Sequence, residues 1–203
     1  TCEAVNIQVT RAALTTALEA YCAGTGDVAA VHAGFEQSFL GWQYIGIIQV
    51  GPVMDMGGPL RIELWPDSKG FSRRAVRAAL KAEDPGLLAP GALDRQSIAL
   101  GNLSALEILV HDGLAPATYQ CDLATAVSRH QATIAAGLAA AWAPGTPFRT
   151  AYDSAAAGNA RYPGVEDLVR DLLAGAVVHA DRLRKFKIQR GLGAAPGDPR
   201  PER

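Results

Sequence analysis

The sequence is poor in cysteine, in aromatic residues and in net charge, and it lacks any long apolar run. Its three cysteines, Cys2, Cys22 and Cys121, stand too far apart for a zinc knuckle or a Cys-x-x-Cys redox pair. Aromatics make up 6% of the 203 residues, so a core built on large rings is excluded and close packing through small side chains is favoured. The 19 basic and 20 acidic residues leave a formal net charge of −1. That balance provides no basic excess for nucleic acid and no acidic block for a disordered tail. No apolar stretch reaches the roughly 20 residues of a membrane-spanning helix. Gly-x-Ser-x-Gly, His-Glu-x-x-His and a phosphate-binding glycine loop are all absent. The first residue is Thr1 rather than Met, which is compatible with an exported chain whose leader has been removed and equally with a trimmed one.

What is present is helical periodicity. Leu14, Ala17, Leu18 and Tyr21 recur at i, i+3, i+4 and i+7, which predicts a first helix over residues 10–21. Gly24-Thr25-Gly26 breaks it, and Asp27 is placed to cap a second helix running to Val50 before Gly51-Pro52. Leu60-Arg61-Ile62-Glu63-Leu64-Trp65-Pro66 alternates apolar and charged residues and reads as a short extended segment. Ser72 is placed to cap a short basic helix ending at Lys81. Ser97–Asp112 reads as a strongly apolar helix, and a longer one is expected from Tyr119 to Trp142. Residues 148–162 show little pattern. Pro163 opens a last helix to Ile188 with a wide apolar stripe, after which residues 191–203 are rich in Gly and Pro and read as a mobile end. Five long helices, one short helix and no sheet pattern predict an all-α helical bundle. Cys22 closes one helix and Cys121 opens another, so they either form a disulfide or remain two thiols at helix ends. Cys2 is then left over, as a lipid-anchor position or a free thiol.

Several segments, in order, carry a family resemblance. They are Ala20-Tyr21-Cys22-Ala23, Trp42 with Gln49-Val50-Gly51-Pro52, Arg61-Ile62-Glu63-Leu64-Trp65-Pro66-Asp67, Leu103-Ser104-Ala105-Leu106-Glu107-Ile108-Leu109, and Tyr119-Gln120-Cys121 leading to Trp142. Together they resemble the imelysin family. The resemblance implies a periplasmic or lipid-anchored bacterial protein built from two helical-bundle repeats. It also implies a link to peptidase activity or to iron uptake alongside an iron-transport or other periplasmic or outer-membrane partner. Iron or zinc is the ion it points to. On this basis residues 1–114 are expected to form the first repeat and residues 115–203 the start of a second, incomplete one. The family signature, Gly-x-His-x-x-Glu, is degenerate in this chain: Asn102 stands for the glycine, Ser104 for the histidine, and only Glu107 is kept. Serine is a poor ligand for zinc or ferrous iron, so a metal held here requires other donors.

Two groups of residues are candidates for that chemistry. His32 and Glu36, and Glu107 and His111, are each four apart on a predicted helix and share a face. If the two faces met, two imidazoles and two carboxylates would converge into a set able to hold a metal ion; otherwise they are two ordinary helical pairs. Glu107 also stands in an apolar run and needs a partner, for which Arg61 is a candidate. Arg61, Glu63 and Ser104 around Glu107 form the expected ligand-binding residues. Ser104 and His111 lie about two helical turns apart, too far for a direct nucleophile–base contact. The leading functional expectation is therefore a non-catalytic periplasmic binding protein. A metal-dependent peptidase and a structural or interaction module are the alternatives.

Overall fold

The computed structural model of the protein describes residues 2–193, with side chains from Gln8 onward. Cys2 begins the first helix, but the lipid-anchor expectation concerns its side chain, which lies outside the described ones. Of the mobile end expected over residues 191–203, residues 194–203 lie outside the described residues, while 191 and 192 are helical. The helices are α1 (Cys2–Cys22), α2 (Val28–Ile45), α3 (Pro52–Asp55), α4 (Phe71–Ala82), α5 (Leu103–His111), α6 (Tyr119–Ala141), α7 (Pro147–Asp153) and α8 (Val165–Arg182). A π-helical stretch, Leu183–Gln189, continues α8 into α9 (Arg190–Leu192). No strand occurs among the described residues, and none of their helices is long and apolar enough to cross a membrane. The all-α reading therefore holds.

Helix starts follow side-chain capping. Asp27 accepts from the Ala29 amide at 3.0 Å, as its position predicted. Thr118 caps α6 through the Cys121 amide. Two starts differ from expectation because another side chain supplies the cap. The α4 amides of Phe71 and Ser72 are taken by the Asp67 carboxylate at 2.7 and 2.8 Å, not by Ser72. The helix expected from Ser97 begins only at Leu103, because residues 97–100 form a turn and Asn102 accepts from the Ala105 amide at 2.9 Å. The block expected to be extended is not: Pro59 starts a 3₁₀ turn over Pro59–Arg61, and Ile62 follows it in helical backbone geometry. Residues 147–153, expected to be patternless, form α7.

The core is continuous. Helix α1 packs along both α2 and α6, and α5 lies against α6, α4 and α2. Leu14, Leu18, Val31, Leu103, Leu106, Leu109, Leu123 and Val127 meet there with almost no exposure. Helices α5 and α6, on either side of residue 114, both contribute to this core. Cys22 and Cys121 form a disulfide that joins the end of α1 to the start of α6.

A polar network crosses this core. The Arg11 guanidinium is buried and donates to the Gln131 side-chain oxygen at 2.9 Å and to its backbone carbonyl at 3.1 Å. Gln131 Nε2 in turn donates to the carbonyls of Arg61, at 2.9 Å, and Gly101. One side chain on α6 thereby fixes both the loop before α4 and the approach to α5. Among the described residues no carboxylate pairs with this charge, and Arg11 Nε and Nη2 lack hydrogen-bond partners there. Desolvation accordingly brings the Arg11 pKa down to about 10.

Two stability measurements follow from these contacts. The disulfide closes a loop with a sequence separation of 99. A Cys22→Ala/Cys121→Ala variant should lose about 2–4 kcal/mol in urea unfolding, and an unchanged midpoint would show that the cross-link contributes nothing. In the core, Gln131→Leu should be destabilising by on the order of 3 kcal/mol because it orphans a buried charge. The double variant Arg11→Met/Gln131→Leu should recover part of that loss. If the double variant is as unstable as the sum of the single ones, the charge is not the source of the cost.

Candidate functional site

The degenerate signature lies on α5, and its first position is structural. Asn102 is buried, caps the helix, and donates to the Ile98 carbonyl at 2.6 Å. From there Ser104, Glu107, Ile108 and His111 follow at spacings that put them on one face. That face looks into a cleft of about 720 Å³, closed on other sides by Trp65 and Asp67 from the loop before α4, by Arg73 of α4 and by Arg190 of α9. The Ser104 hydroxyl is half-buried and donates to the Leu64 carbonyl at 3.4 Å. Glu107 is exposed to the cleft and makes no hydrogen bond or ion pair with the described residues. Asp67 is engaged in capping α4, and Asp112 is paired with Arg73 at 2.9 Å. Among the described residues Glu107 is therefore the unpaired carboxylate lining this cleft.

The expected pairing of Glu107 with Arg61 does not form. Arg61 ends the 3₁₀ turn and binds Asp94 at 3.0 Å on a different side of the loop. There it shares a small pocket of about 110 Å³ with His130. His130 Nδ1 lies 3.7 Å from Asp94. Burial depresses the His130 pKa, with Asp94 acting against that shift and Arg61 adding to it. The tie between Gln131 and the Arg61 carbonyl helps hold the residue in this position.

The candidate metal set assembles in part. His32 of α2 and His111 of α5 meet with ring centroids 4.6 Å apart, and the edge of Phe35 supports His111 at 5.5 Å. Glu36 and Glu107 sit one turn away on their respective helices, and both are exposed. Among the described residues no group of three or more His, Cys, Asp or Glu side chains comes close enough to hold a metal ion. The four-ligand set is thus reduced to an imidazole pair at the rim of the cleft. With Ser104 in the histidine position, the residues present do not fit a resident metal on the signature helix.

Glu63 occupies a third location, separate from both Arg61 and Glu107. Its Oε2 accepts from Trp42 Nε1 at 2.8 Å and from Gln43 Nε2 at 3.0 Å. Burial raises its pKa. The two hydrogen bonds, Lys187 and Arg182 oppose the shift without cancelling it. Trp65 forms a wall shared by the Glu63 pocket and the Glu107 cleft. Phe186 meets its ring edge-on at 5.9 Å, Lys187 lies over the ring at 5.0 Å, and Arg182 donates to its carbonyl. Ile62 ties this loop to the core: it is buried and accepts from the Leu103 amide. Trp65 instead fastens the end of α8. Sequence reasoning missed Arg190, Asp94 and the Arg73–Asp112 pair. Each is an ordinary surface charge brought to its place by the packing of distant elements, and no local pattern marks it.

The raised Glu63 pKa gives a pH prediction. A carboxyl raised on folding has its full stability below the ordinary value of 4.5, and the protein loses stability as pH rises through the folded value. Glu63→Gln keeps an acceptor for Trp42 and Gln43 without a charge. Thermal unfolding of the variant should match wild type in acid and exceed it at neutral pH. A variant less stable at neutral pH would show that Lys187 and Arg182 outweigh the burial.

The imelysin family model matches residues 3–203. The fold is similar to the crystal structure of an imelysin-like protein from Psychrobacter arcticum 273-4, with a TM-score of 0.79 at 14% identity. The match covers 96% of this chain and 59% of that one, so the chain spans about three-fifths of the relative's length. No curated protein matches the sequence.

Proposed function

From the premise that the chain belongs to the imelysin family, we propose that it is an exported, non-catalytic binding protein of the cell envelope. Its ligand site is the cleft along α5. The observation that carries this reading is the Glu107 carboxylate. It faces about 720 Å³ of open space without a partner, while every other acidic side chain lining that cleft is engaged. An unpaired charge in a concave, mixed-polarity cleft is the usual mark of a binding site.

The expected cargo is a cation, and iron acquisition is the context the family resemblance supplies. The chain's own residues favour a hydrated or ligand-bearing cation. Glu107 supplies one charge, with the His111–His32 pair at the rim. A bare ion would need a closed cage of three or more donors, and the described residues do not form one. Peptidase chemistry is less well supported. The hydroxyl of Ser104 is directed to a backbone carbonyl, and hydrolysis by a metal-bound water would need the ligand set that the signature helix lacks.

Titration with ferrous iron and with zinc tests the reading. Wild type should bind about one ion per chain, and Glu107→Ala should weaken binding at least about tenfold. Binding that is unchanged in Glu107→Ala would place the site elsewhere. No binding by either protein would retire the cation and leave the interaction module as the surviving role.

A further inference from the structure

The cleft along α5 is larger than an ion needs, and it carries free charge of both signs. Its volume of about 720 Å³ lies within the range of small-molecule pockets, roughly 300–1,000 Å³. Two guanidiniums line it. Arg73 is paired with Asp112 at 2.9 Å. Arg190, exposed at the start of α9, makes no side-chain hydrogen bond or ion pair among the described residues. Glu107 of α5 is unpaired in the same sense, and it does not reach Arg190. A free carboxylate and a free guanidinium in one concavity are complementary to a single ligand that bears both signs of charge.

The count of donors says what such a ligand must bring. A divalent cation takes four to six donor atoms, in tetrahedral or octahedral geometry. Glu107 supplies at most two oxygens, and no third acidic, cysteine or histidine side chain joins a metal-holding group among the described residues. The remaining donors therefore arrive with the ion. Water supplies donors, but it offers Arg190 no anion and leaves most of the cleft unfilled. A polycarboxylate supplies oxygen donors to the ion and keeps a carboxylate for a guanidinium, whose planar fork matches it in two parallel hydrogen bonds. We propose that the cation binds in this cleft as its complex with a polycarboxylate chelator. Glu107 takes an open coordination position on the ion, and Arg190 holds the chelator's outward carboxylate. The proposal rests on the cation reading of the cleft and names the form in which the ion is bound.

Equilibrium dialysis of the 203-residue chain against zinc at fixed total concentration, with and without equimolar citrate, tests it. Retained zinc and labelled citrate are both counted. Citrate should raise the apparent affinity for zinc at least about tenfold, with one citrate retained per zinc. Arg190→Gln should abolish that rise and leave zinc retention without citrate unchanged. Arg190→Lys, which keeps the charge without the fork, should recover part of it. A chelator that merely competes for the ion lowers the retained zinc. That outcome overturns the proposal while the cation reading stands, as does a rise that survives in Arg190→Gln or citrate retained equally without zinc. Zinc retained in neither condition, or retained alike by Glu107→Ala, removes the cation reading and the proposal with it.

Discussion

A buried positive charge with no counter-ion among the described residues organises this protein. Among the described residues Arg11 is held by Gln131, and the amide of Gln131 finds its own acceptors in the carbonyls of Arg61 and Gly101. Because a desolvated guanidinium is costly to leave unmatched, the network has few alternative arrangements. It sets α1, α6, the loop before α4 and the approach to α5 in one relation. The disulfide fixes the other end of the same α1–α6 pair. The cleft depends on that relation, since one wall comes from α5 and another from Trp65 in the loop.

Trp65 connects the core to the chain's last helix. Its ring separates the pocket of Glu63 from the cleft of Glu107 and receives Phe186 and Lys187 from the π-helical stretch. The helix carrying these residues contributes Arg190 to the cleft through α9. The end of α8 and the cleft are therefore joined through Trp65. The contacts that connect them are aromatic and cationic, with Glu63 buried alongside.

Much of the fold was legible in the sequence. The periodicity around Leu14 and Leu18, the Asp27 cap, the α6 run from Tyr119 and the wide stripe of the last helix each depend on residues within one element, where spacing alone sets the face. The misjudged starts share a cause. At α4 and α5 a neighbouring polar side chain, Asp67 or Asn102, captured the first amides and moved the boundary. The wide stripe was read as needing partners. Only the fold showed that Leu168 and Leu172 are half-buried while Val165, Val169, Leu173 and Val177 stay exposed.

The candidate site divides along the same line. The sequence by itself determined that the signature was degenerate, that Glu107 survived in it, and that Glu107 and His111 share a helical face. It also marked Cys22 and Cys121 as two cysteines at helix ends, and the tertiary structure decided that they are bonded. The approach of His32 to His111, the diversion of Arg61 to Asp94 and the burial of Glu63 beneath Trp42 and Gln43 were likewise settled only by the fold. Helical spacing is written in a few consecutive residues, but the partner of a charge depends on where distant elements pack. Four residues drawn together in sequence reasoning thus became three separate environments, and only the neighbourhood of Glu107 and Ser104 remained one cleft.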